Sequence, residues 1–530
     1  MRLKEALSIL SKSSAYAVST ERSNQELSLL DEIKAHLYIK MPIEDKVKKI
    51  ISSFGANDKK LLFLCGSSGD GKSELLTKVK RKKKYSKGVR FHLDATHSFD
   101  PQGSAIDTLN RVFDDYQAGS YPLVVGINTG MIGNYAEEGR NAYVREALKA
   151  YLTDKRAELD DIYFVSFEDY PKFEINENEF TSEFANSLLA RITEAGGVIW
   201  NLVEKERQLN DPDSAIVLAN YTLLCQPSVQ QVIIDLLFKA RLMRDQFLTA
   251  RALLDFIHEL LLGGDYLFDN LFAGGTNELA NKIEHFDPAH LRTKQIDRFI
   301  LSFNLNLPNP DFEQFKQALK SLGVSELQSG TQYLRLFYVF KYDALSNNFH
   351  QQFESDFNES LIDKYIAIFQ LHKEYTGSTE QKSKLKTFYR DVLISAVRNY
   401  INRNAPKLGK KYFLLSDFGD YQIAAPAELS MDVAMIQNST TTSSAFFNAR
   451  LKLRDKQFCL PININLLELL ININSGYRPN KHDKNSVILL DELANEVIQA
   501  AKASEELVIT GEGNKYLLEL EDDEIMVSEG

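Results

Sequence analysis

The eight residues from Gly66 to Ser73 constrain the fold of this chain more than any other feature of its sequence. They read Gly-Ser-Ser-Gly-Asp-Gly-Lys-Ser and match the phosphate-loop pattern GxxxxGK[ST] at every position. The apolar run Leu61–Cys65 precedes them, and a segment of helix-favouring composition begins at Lys72. Glycines let backbone N–H groups approach a phosphate closely, and the positive end of the following helix points at the same anion. The alternative interpretation is a glycine-rich turn that only packs.

Strand and helix patterns alternate after this loop, which is typical of a parallel sheet. The predicted elements are a strand at Val89–Asp94, a helix at Ala105–Tyr116, a strand at Pro122–Asn128, a helix at Tyr143–Thr153 and a strand at Ile162–Phe167. The chain then becomes mostly helical, and the pattern at Phe247–Leu262 resembles a helical lid. We predict an α/β fold, with a P-loop NTPase core around a parallel sheet (AAA+-like), a helical lid, and an additional mixed, mostly α C-terminal region.

The length of 530 residues exceeds the about 250–300 residues at which single cores stop growing. The predicted regions are a helical N-terminal lead-in at 1–56, the P-loop core at 57–175, the lid at 176–286, and a C-terminal partner or DNA-interaction region at 287–530. Leu507–Thr510 and Tyr516–Leu520 flank a turn and predict a β-hairpin, followed by an acidic tail.

Composition excludes several other classes of protein. No window approaches the about 18 consecutive apolar residues of a membrane helix, and the first residues carry charges where a signal peptide is apolar. The three cysteines are far apart and form no CxxC pair, which argues against a disulfide framework or a zinc site. The net charge of −11 comes mostly from residues 503–530, which carry nine acids and one lysine. We expect a soluble cytoplasmic protein with no membrane partner.

The phosphate loop predicts ATP and Mg²⁺ as ligands. Lys72 is expected to contact the β- and γ-phosphates, and Ser73 to bind Mg²⁺. The residues predicted to bind the nucleotide are Gly66, Ser67, Ser68, Gly69, Asp70, Gly71, Lys72 and Ser73.

A magnesium site next to a triphosphate also needs a carboxylate. Asp94 ends a predicted strand and resembles a Walker B acid, although it follows Lys72 by only 22 residues. Asp114 and Asp115 on the next helix are alternatives. We predict Asp94 as the second metal ligand, and the identity of the acid stays open.

Two further residues are candidates for contact with the γ-phosphate. Asn128 ends the strand at Pro122–Asn128 and resembles the sensor-1 residue of AAA+ ATPases; the alternative is a turn residue bonded to its own backbone. Arg251 lies in an otherwise apolar helix and resembles sensor 2; the alternative is a surface arginine. Four weaker candidates for an arginine acting in trans are Arg140, Arg145, Arg241 and Arg244.

Two basic stretches are candidate contacts for DNA or a partner. The first puts eight cations between Lys78 and Arg90, and its alternative interpretation is a solvated helix end. The second is interleaved with aromatic residues and is the better candidate from sequence. Its cations are Lys382, Lys384, Lys386, Arg390, Arg398, Arg403, Lys407, Lys410 and Lys411. The sequence contains no nuclease motif that we identify.

Several strings beyond the phosphate loop resemble one family. These are Ser11–Val18, Phe63–Glu74, Phe91–Ser98, Gly126–Met131 and Phe167–Phe173. They are similar to the DptF (DndF) family of DNA phosphorothioation-dependent restriction proteins. The resemblance implies a bacterial defence complex with DptG-like and DptH-like subunits, which attacks DNA that lacks phosphorothioate marks. It covers the chain to about residue 260 and is less specific beyond it.

The motif and the resemblance together predict an ATP-binding and ATP-hydrolysing subunit that couples ATP to DNA targeting. The main alternative is a nucleotide-dependent switch or scaffold with negligible turnover. A small-molecule P-loop kinase is a third interpretation, which the length and the large accessory region disfavour. The oligomeric state, and direct contact with DNA, stay open at this stage.

Overall fold

The computed structural model describes residues 2–11, 29–96, 104–153, 161–170, 172–176, 179–244, 248–325, 327–345, 347–357, 360–406, 408–437, 446–480, 483–511, 514–521 and 524–529. Most of the string Ser11–Val18, the end of Phe91–Ser98, and Phe247 and Lys407 lie outside them. The chain forms two compact units: a first unit of Met1–Glu174 and Thr181–Asn358, and a second unit of Ile175–Phe180 and Glu359–Gly530. The four regions proposed from sequence stay a prediction.

The first unit is built around a four-stranded, all-parallel sheet with the strand order β2-β3-β1-β4. Its strands and the helices between them are β1 (Leu61–Gly66), α4 (Lys72–Arg81), α5 (Lys83–Ser86), β2 (Arg90–His92), α6 (Ala105–Ala118), β3 (Leu123–Asn128), α7 (Thr129–Glu138), α8 (Ala142–Thr153) and β4 (Ile162–Ser166). Helices α1 (Leu3–Leu7), α2 (Leu29–His36) and α3 (Pro42–Ser52) precede them.

Both faces of this sheet are covered, which explains why β1 is a continuous apolar run and not an alternating one. Successive side chains of a strand point to opposite faces. Phe63 therefore packs on one side with Phe113 of α6 and Leu148 of α8, and Leu64 packs on the other side with Val47 of α3. The whole of β1 is buried, so the loop that follows it starts from a rigid strand end.

After β4 the chain forms a two-stranded ribbon of β5 (Glu174–Asn176) and β6 (Glu179–Thr181), of which Ile175–Phe180 belong to the second unit. The later elements of the first unit are helical. The helices are α9 (Glu183–Thr193), α10 (Val198–Leu209), α11 (Ala215–Leu224), α12 (Pro227–Arg244), α13 (Ala250–Leu262), α14 (Leu267–Asn270), α15 (Glu278–Ile283), α16 (Lys294–Asn304), α17 (Pro310–Lys320) and α18 (Gly330–Val339).

The second unit combines helices with two antiparallel sheets, of order β11-β10-β9 and β14-β13-β12-β8-β7. Its helices are α19 (Ser360–Lys373), α20 (Thr379–Thr387), a π-helical segment (Phe388–Ile394), α21 (Ser395–Ile401), α22 (Val433–Gln437), α23 (Ile464–Asn474) and α24 (Lys484–Ala501). Its strands are β7 (Tyr412–Asp417), β8 (Tyr421–Pro426), β9 (Ser430–Met431), β10 (Phe447–Leu453), β11 (Lys456–Ile462), β12 (Glu506–Gly511), β13 (Asn514–Glu521) and β14 (Glu524–Glu529).

The mixed α/β class and the parallel sheet are confirmed. The predicted C-terminal hairpin is present as β12 and β13, but part of the predicted acidic tail forms a further strand, β14, because Ile525, Met526 and Val527 favour extended backbone there. Within the described residues, no helix combines the length and the apolar character needed to cross a membrane.

Candidate nucleotide-binding site

The phosphate loop connects the buried end of β1 to the first residue of α4. Gly69 and Gly71 have φ angles of 85° and 96°, in the left-handed region that favours glycine. Gly71 is the N-cap of α4 and provides no side-chain cap, so no side chain of its own covers the start of the helix. A Cβ atom added at Gly71 would meet no atom within 4 Å. The loop is thus open on the side from which an anion approaches the helix.

Lys72 lies across this loop. Its ammonium donates hydrogen bonds to the backbone carbonyls of Gly66, at 3.1 Å, and Ser67, at 2.7 Å. Burial lowers the pKa of Lys72, and the nearby carboxylates of Asp70 and Asp94 oppose that shift. The side chain is therefore a partly desolvated cation, which interacts more strongly with an anion than a fully hydrated one does.

The Asp70 side chain accepts a hydrogen bond from the backbone of the phosphate loop, a role that the sequence did not reveal. One carboxylate oxygen accepts the Ser67 N–H at 2.7 Å, and the other accepts a hydrogen bond at 2.7 Å from the ammonium of Lys172. Both side chains of this ion pair are only 8 % exposed. Lys172 follows β4 and is 102 residues from Asp70 along the chain. The only sequence signal for Lys172 was its position within the string Phe167–Phe173, and no chemical role was predicted for the residues of that string.

Asp94 and Asn128 lie at the same edge of the sheet as the loop. Parallel pairing puts Asn128 opposite Gly66, and the Ala95 N–H donates to the Gly126 carbonyl at 2.8 Å just beyond β2. Carboxyl ends of neighbouring parallel strands meet at one edge, which is where α/β proteins bind ligands. Asp94 accepts hydrogen bonds from both the N–H and the hydroxyl of Thr96.

Gly126 is a second residue that sequence reasoning missed. A Cβ atom at this position would lie 2.5 Å from the carbonyl oxygen of Leu93, so only glycine lets the chain before Asp94 approach β3 this closely. Asn128 has two roles, because its Oδ1 accepts the Met131 N–H at 2.7 Å as the N-cap of α7 while the residue also lines the cavity described below. The turn interpretation of Asn128 and the site interpretation are thus compatible.

Helix α13 begins directly against the phosphate loop. The Arg251 N–H donates to the Gly69 carbonyl at 3.3 Å, and a Cβ atom at Gly69 would lie 3.1 Å from the Cβ of Arg251. Thr249 caps the helix by accepting the Ala252 N–H. Any side chain at Gly69 would therefore push against the start of α13, so the loop and this helix are positioned by each other.

One cavity of about 380 Å³ brings the predicted residues together. Lys72, Ser73, Asp94, Asn128 and Arg251 all line it, as do loop residues 68–71. Three alternatives from sequence, Asp114, Asp115 and Arg140, are not among its lining residues, nor are Arg145 and Arg241.

The cavity also has apolar lining residues, here called the apolar wall, and the N-terminal segment supplies much of it. Its residues include Leu10, Leu37, Tyr38, Met41, Phe184 and Leu254. The sequence predicts only a helical lead-in for residues 1–56, because an apolar helix face has the same pattern whether it packs on a core or lines a cavity. A cavity lined by both polar groups and apolar side chains suits a ligand that combines charged groups with a flat apolar ring.

The oxygen donors in the cavity fit a small hard cation. Ser73 and Asp94 offer a hydroxyl and a carboxylate, the ligand types that Mg²⁺ takes together with phosphate oxygens. The described residues contain no cluster of three or more His, Cys, Asp or Glu side chains suited to a metal ion. A metal here would therefore depend on ligands beyond the protein, such as the phosphates of a nucleotide.

Comparison with known proteins identifies no relative. No family model matches this chain, and no curated protein or solved structure matches it. The function is therefore inferred from the chemistry of the cavity.

Proposed function

We propose that this chain is a P-loop ATPase that binds MgATP in the cavity around Lys72 and hydrolyses it. The observation that carries this proposal is the convergence of Lys72, Asp94, Asn128 and Arg251, from four separate segments of the chain, on one cavity next to the phosphate loop. Each of these residues suits triphosphate chemistry, and a glycine-rich turn that only packs would not need them together.

In this mechanism the loop binds the phosphates and Lys72 neutralises the β- and γ-phosphates. Ser73 and Asp94 would hold Mg²⁺, which when bound supplies charge stabilisation to the phosphate oxygens. Since the Asn128 Oδ1 atom is occupied by the α7 cap, its amide NH₂ remains as a donor for a γ-phosphate oxygen or for the attacking water. Arg251 would compensate the charge that develops on the γ-phosphate.

The apolar wall is proposed to bind the base of the nucleotide. Leu37, Tyr38 and Met41 lie between α2 and α3, so nucleotide binding would bring the N-terminal helices and α13 together around one ligand. Closure of this kind is a common way in which an ATPase passes its nucleotide state to other parts of the molecule.

The proposed role for this ATPase is that of a subunit in a phosphorothioation-dependent restriction complex. Support comes from the resemblance to the DptF family, which implies DptG-like and DptH-like partners and DNA without phosphorothioate marks as the target. ATP binding and hydrolysis would then drive a conformational cycle during DNA targeting, and bond cleavage would belong to another subunit.

A nucleotide-dependent switch with negligible turnover is the second candidate function. It is favoured by the state of the carboxylates that line the described part of the cavity, Asp70, Glu74 and Asp94. Asp70 is paired with Lys172, Glu74 lies 3.3 Å from the Lys34 ammonium, and Asp94 is assigned to the metal. No further acid in the described lining is left to polarise an attacking water.

The deciding experiment measures ATP turnover of the purified chain, the Lys72→Ala variant and the Asp94→Asn variant. Each is assayed alone, with unmodified or phosphorothioated duplex DNA, and with the two partner subunits. Turnover that rises with unmodified DNA and is lost in both variants supports the proposal. ATP binding without turnover under every condition supports the switch, and absence of ATP binding overturns both.

A further inference from the structure

The two basic stretches differ in how many of their cations are paired with or packed against other groups of the protein. In the second stretch, Lys384 pairs with Glu380 and Arg390 pairs with Asp391. Arg398 lies over the ring of Phe413, and Arg403 donates to the Tyr400 carbonyl. Four of the eight described cations of this stretch are therefore compensated or held against the fold, whereas Lys382, Lys386, Lys410 and Lys411 are exposed.

The first stretch remains mostly uncompensated. Lys78 lies against the Tyr38 ring, 2.9 Å from its centroid, and Arg90 stacks on Tyr121 at 3.8 Å. Five other cations are exposed and form no ion pair with any residue of the described chain. We call these five the cationic face: Arg81, Lys82, Lys83, Lys84 and Lys87.

Stabilisation of the helix end does not account for this cluster. The α4 dipole favours cations in its last turn, where Lys78, Lys80 and Arg81 lie. Lys83 and Lys84 belong to α5, and Lys87 follows it. Five like charges within seven residues repel one another. The chain contains more acidic than basic residues, but no carboxylate of the described residues forms an ion pair with these five cations. A surface of this kind gains free energy when it meets a dense array of negative charges.

We propose that the cationic face binds the phosphate backbone of duplex DNA. The proposal rests on the proposed function for its choice of DNA over other polyanions. It identifies the surface that contacts the DNA and the helix that connects this surface to the ATP site. Helix α4 carries the phosphate loop at its first residue and Arg81, the first residue of the cationic face, at its last, about 15 Å apart along one rigid element. Movement of α4 with nucleotide state would therefore move the DNA contact.

The test compares two variants that each lose four positive charges. The face variant combines Arg81→Gln, Lys82→Gln, Lys83→Gln and Lys84→Gln, and the control combines Lys382→Gln, Lys386→Gln, Lys410→Gln and Lys411→Gln, all at exposed positions. Affinity for a fluorescent duplex is measured across a range of salt concentrations. The face variant is expected to bind about tenfold or more weakly, with a salt dependence reduced by about two to four ion equivalents. The control is expected to stay within about twofold of wild type.

A smaller variant, Lys83→Gln with Lys87→Gln, keeps the test valid if the fourfold change disturbs α4, because both residues lie beyond that helix. It is expected to weaken DNA binding by about threefold or more while nucleotide affinity stays unchanged. Equal losses in the face and control variants would overturn the proposal, as would a wild-type chain that binds no duplex.

Polyglutamate of matched charge serves as the competing polyanion. If it displaces the duplex as effectively as unlabelled DNA does, the face is a site for an acidic polypeptide and the proposal is wrong. DNA binding is measured without turnover, so the two proposals fail separately. Loss of ATP turnover with an intact face effect contradicts only the ATPase, and intact turnover without a face effect contradicts only the DNA contact.

Discussion

The two units arrange their polar groups in opposite ways. In the first unit, side chains at the ends of parallel strands converge on a cavity. In the second unit, one group of buried polar atoms forms hydrogen bonds within the fold: His372 contacts the Tyr389 hydroxyl at 3.1 Å and the Ile368 carbonyl at 2.8 Å, and the Arg450 N–H donates to the same hydroxyl at 2.8 Å. Parallel strands leave a shared edge without turns, whereas hairpins close the ends of antiparallel strands. Strand direction thus helps decide whether polar side chains form a site or a core network.

The largest expected effect tests the buried ion pair of the first unit. Lys172→Met leaves the Asp70 carboxylate buried without its cation, and we expect a loss of about 3–5 kcal/mol in the free energy of unfolding. Denaturant unfolding and ATP affinity are both measured. Replacing both partners, as Asp70→Asn with Lys172→Met, removes the unpaired charge and is expected to recover much of the stability. A Lys172→Met variant that is as stable as wild type would show that the Asp70–Lys172 ion pair does not stabilise the phosphate loop.

The next prediction concerns acid sensitivity in the second unit. His372 is 3 % exposed, and burial lowers its pKa to about 4 from the ordinary 6.5. The unfolded chain binds a proton below pH 6.5, whereas the folded site resists it until about pH 4. Stability is therefore fully present above pH 6.5 and falls by up to about 3 kcal/mol as pH drops through this window.

Hydrogen exchange of α19 at several pH values measures this effect locally. His372→Gln keeps a hydrogen-bonding side chain but cannot titrate, so its exchange is expected to depend less on pH between 6.5 and 4 than that of wild type. Identical pH dependence in both proteins would mean that His372 is not the titrating group.

A change within the cavity is expected to affect binding and leave folding intact. Lys72→Ala removes the cation that we propose to contact the phosphates, and we expect ATP affinity to fall about 100-fold, or about 2.7 kcal/mol, with little change in unfolding. Calorimetric titration with ATP measures it. Lys386→Ala, an exposed lysine of the second unit, is the control and should bind ATP as wild type does. Unchanged affinity in Lys72→Ala would remove the cavity as the ATP site.

The smallest expected effect tests the close approach of two strands. Gly126→Ala introduces a Cβ atom 2.5 Å from the Leu93 carbonyl, and we expect a loss of about 1–3 kcal/mol together with displacement of Asp94. Gly133→Ala is the matched control, because a Cβ atom there meets no atom within 4 Å and alanine favours the helix. Thermal unfolding and magnesium-dependent ATP binding measure both variants, and equal behaviour of the two would contradict the steric argument.

The local elements of the first unit were largely predictable. Contiguous patterns identified β1, α6, β3 and β4 to within a few residues, because an apolar strand or an amphipathic helix has a period that appears in a short window. The second unit was less predictable. The pairing of β10 with β11 and the strand β14 were missed, although apolar and polar residues alternate along β10 and favour a strand there.

The candidate site also has one part that was predictable from the sequence and one part that was not. Gly66–Ser73 form a contiguous motif whose proposed chemistry depends on backbone and local side chains, so the sequence alone determined that a match to the phosphate-loop pattern lies between a strand and a helix. Only the tertiary structure decided that Lys172 neutralises Asp70, that the N-terminal segment lines the cavity, and that the five cations of the cationic face are left exposed. Those features depend on contacts between residues far apart along the chain. Such contacts leave no periodicity in the sequence, because any lysine or leucine of suitable size satisfies the local pattern.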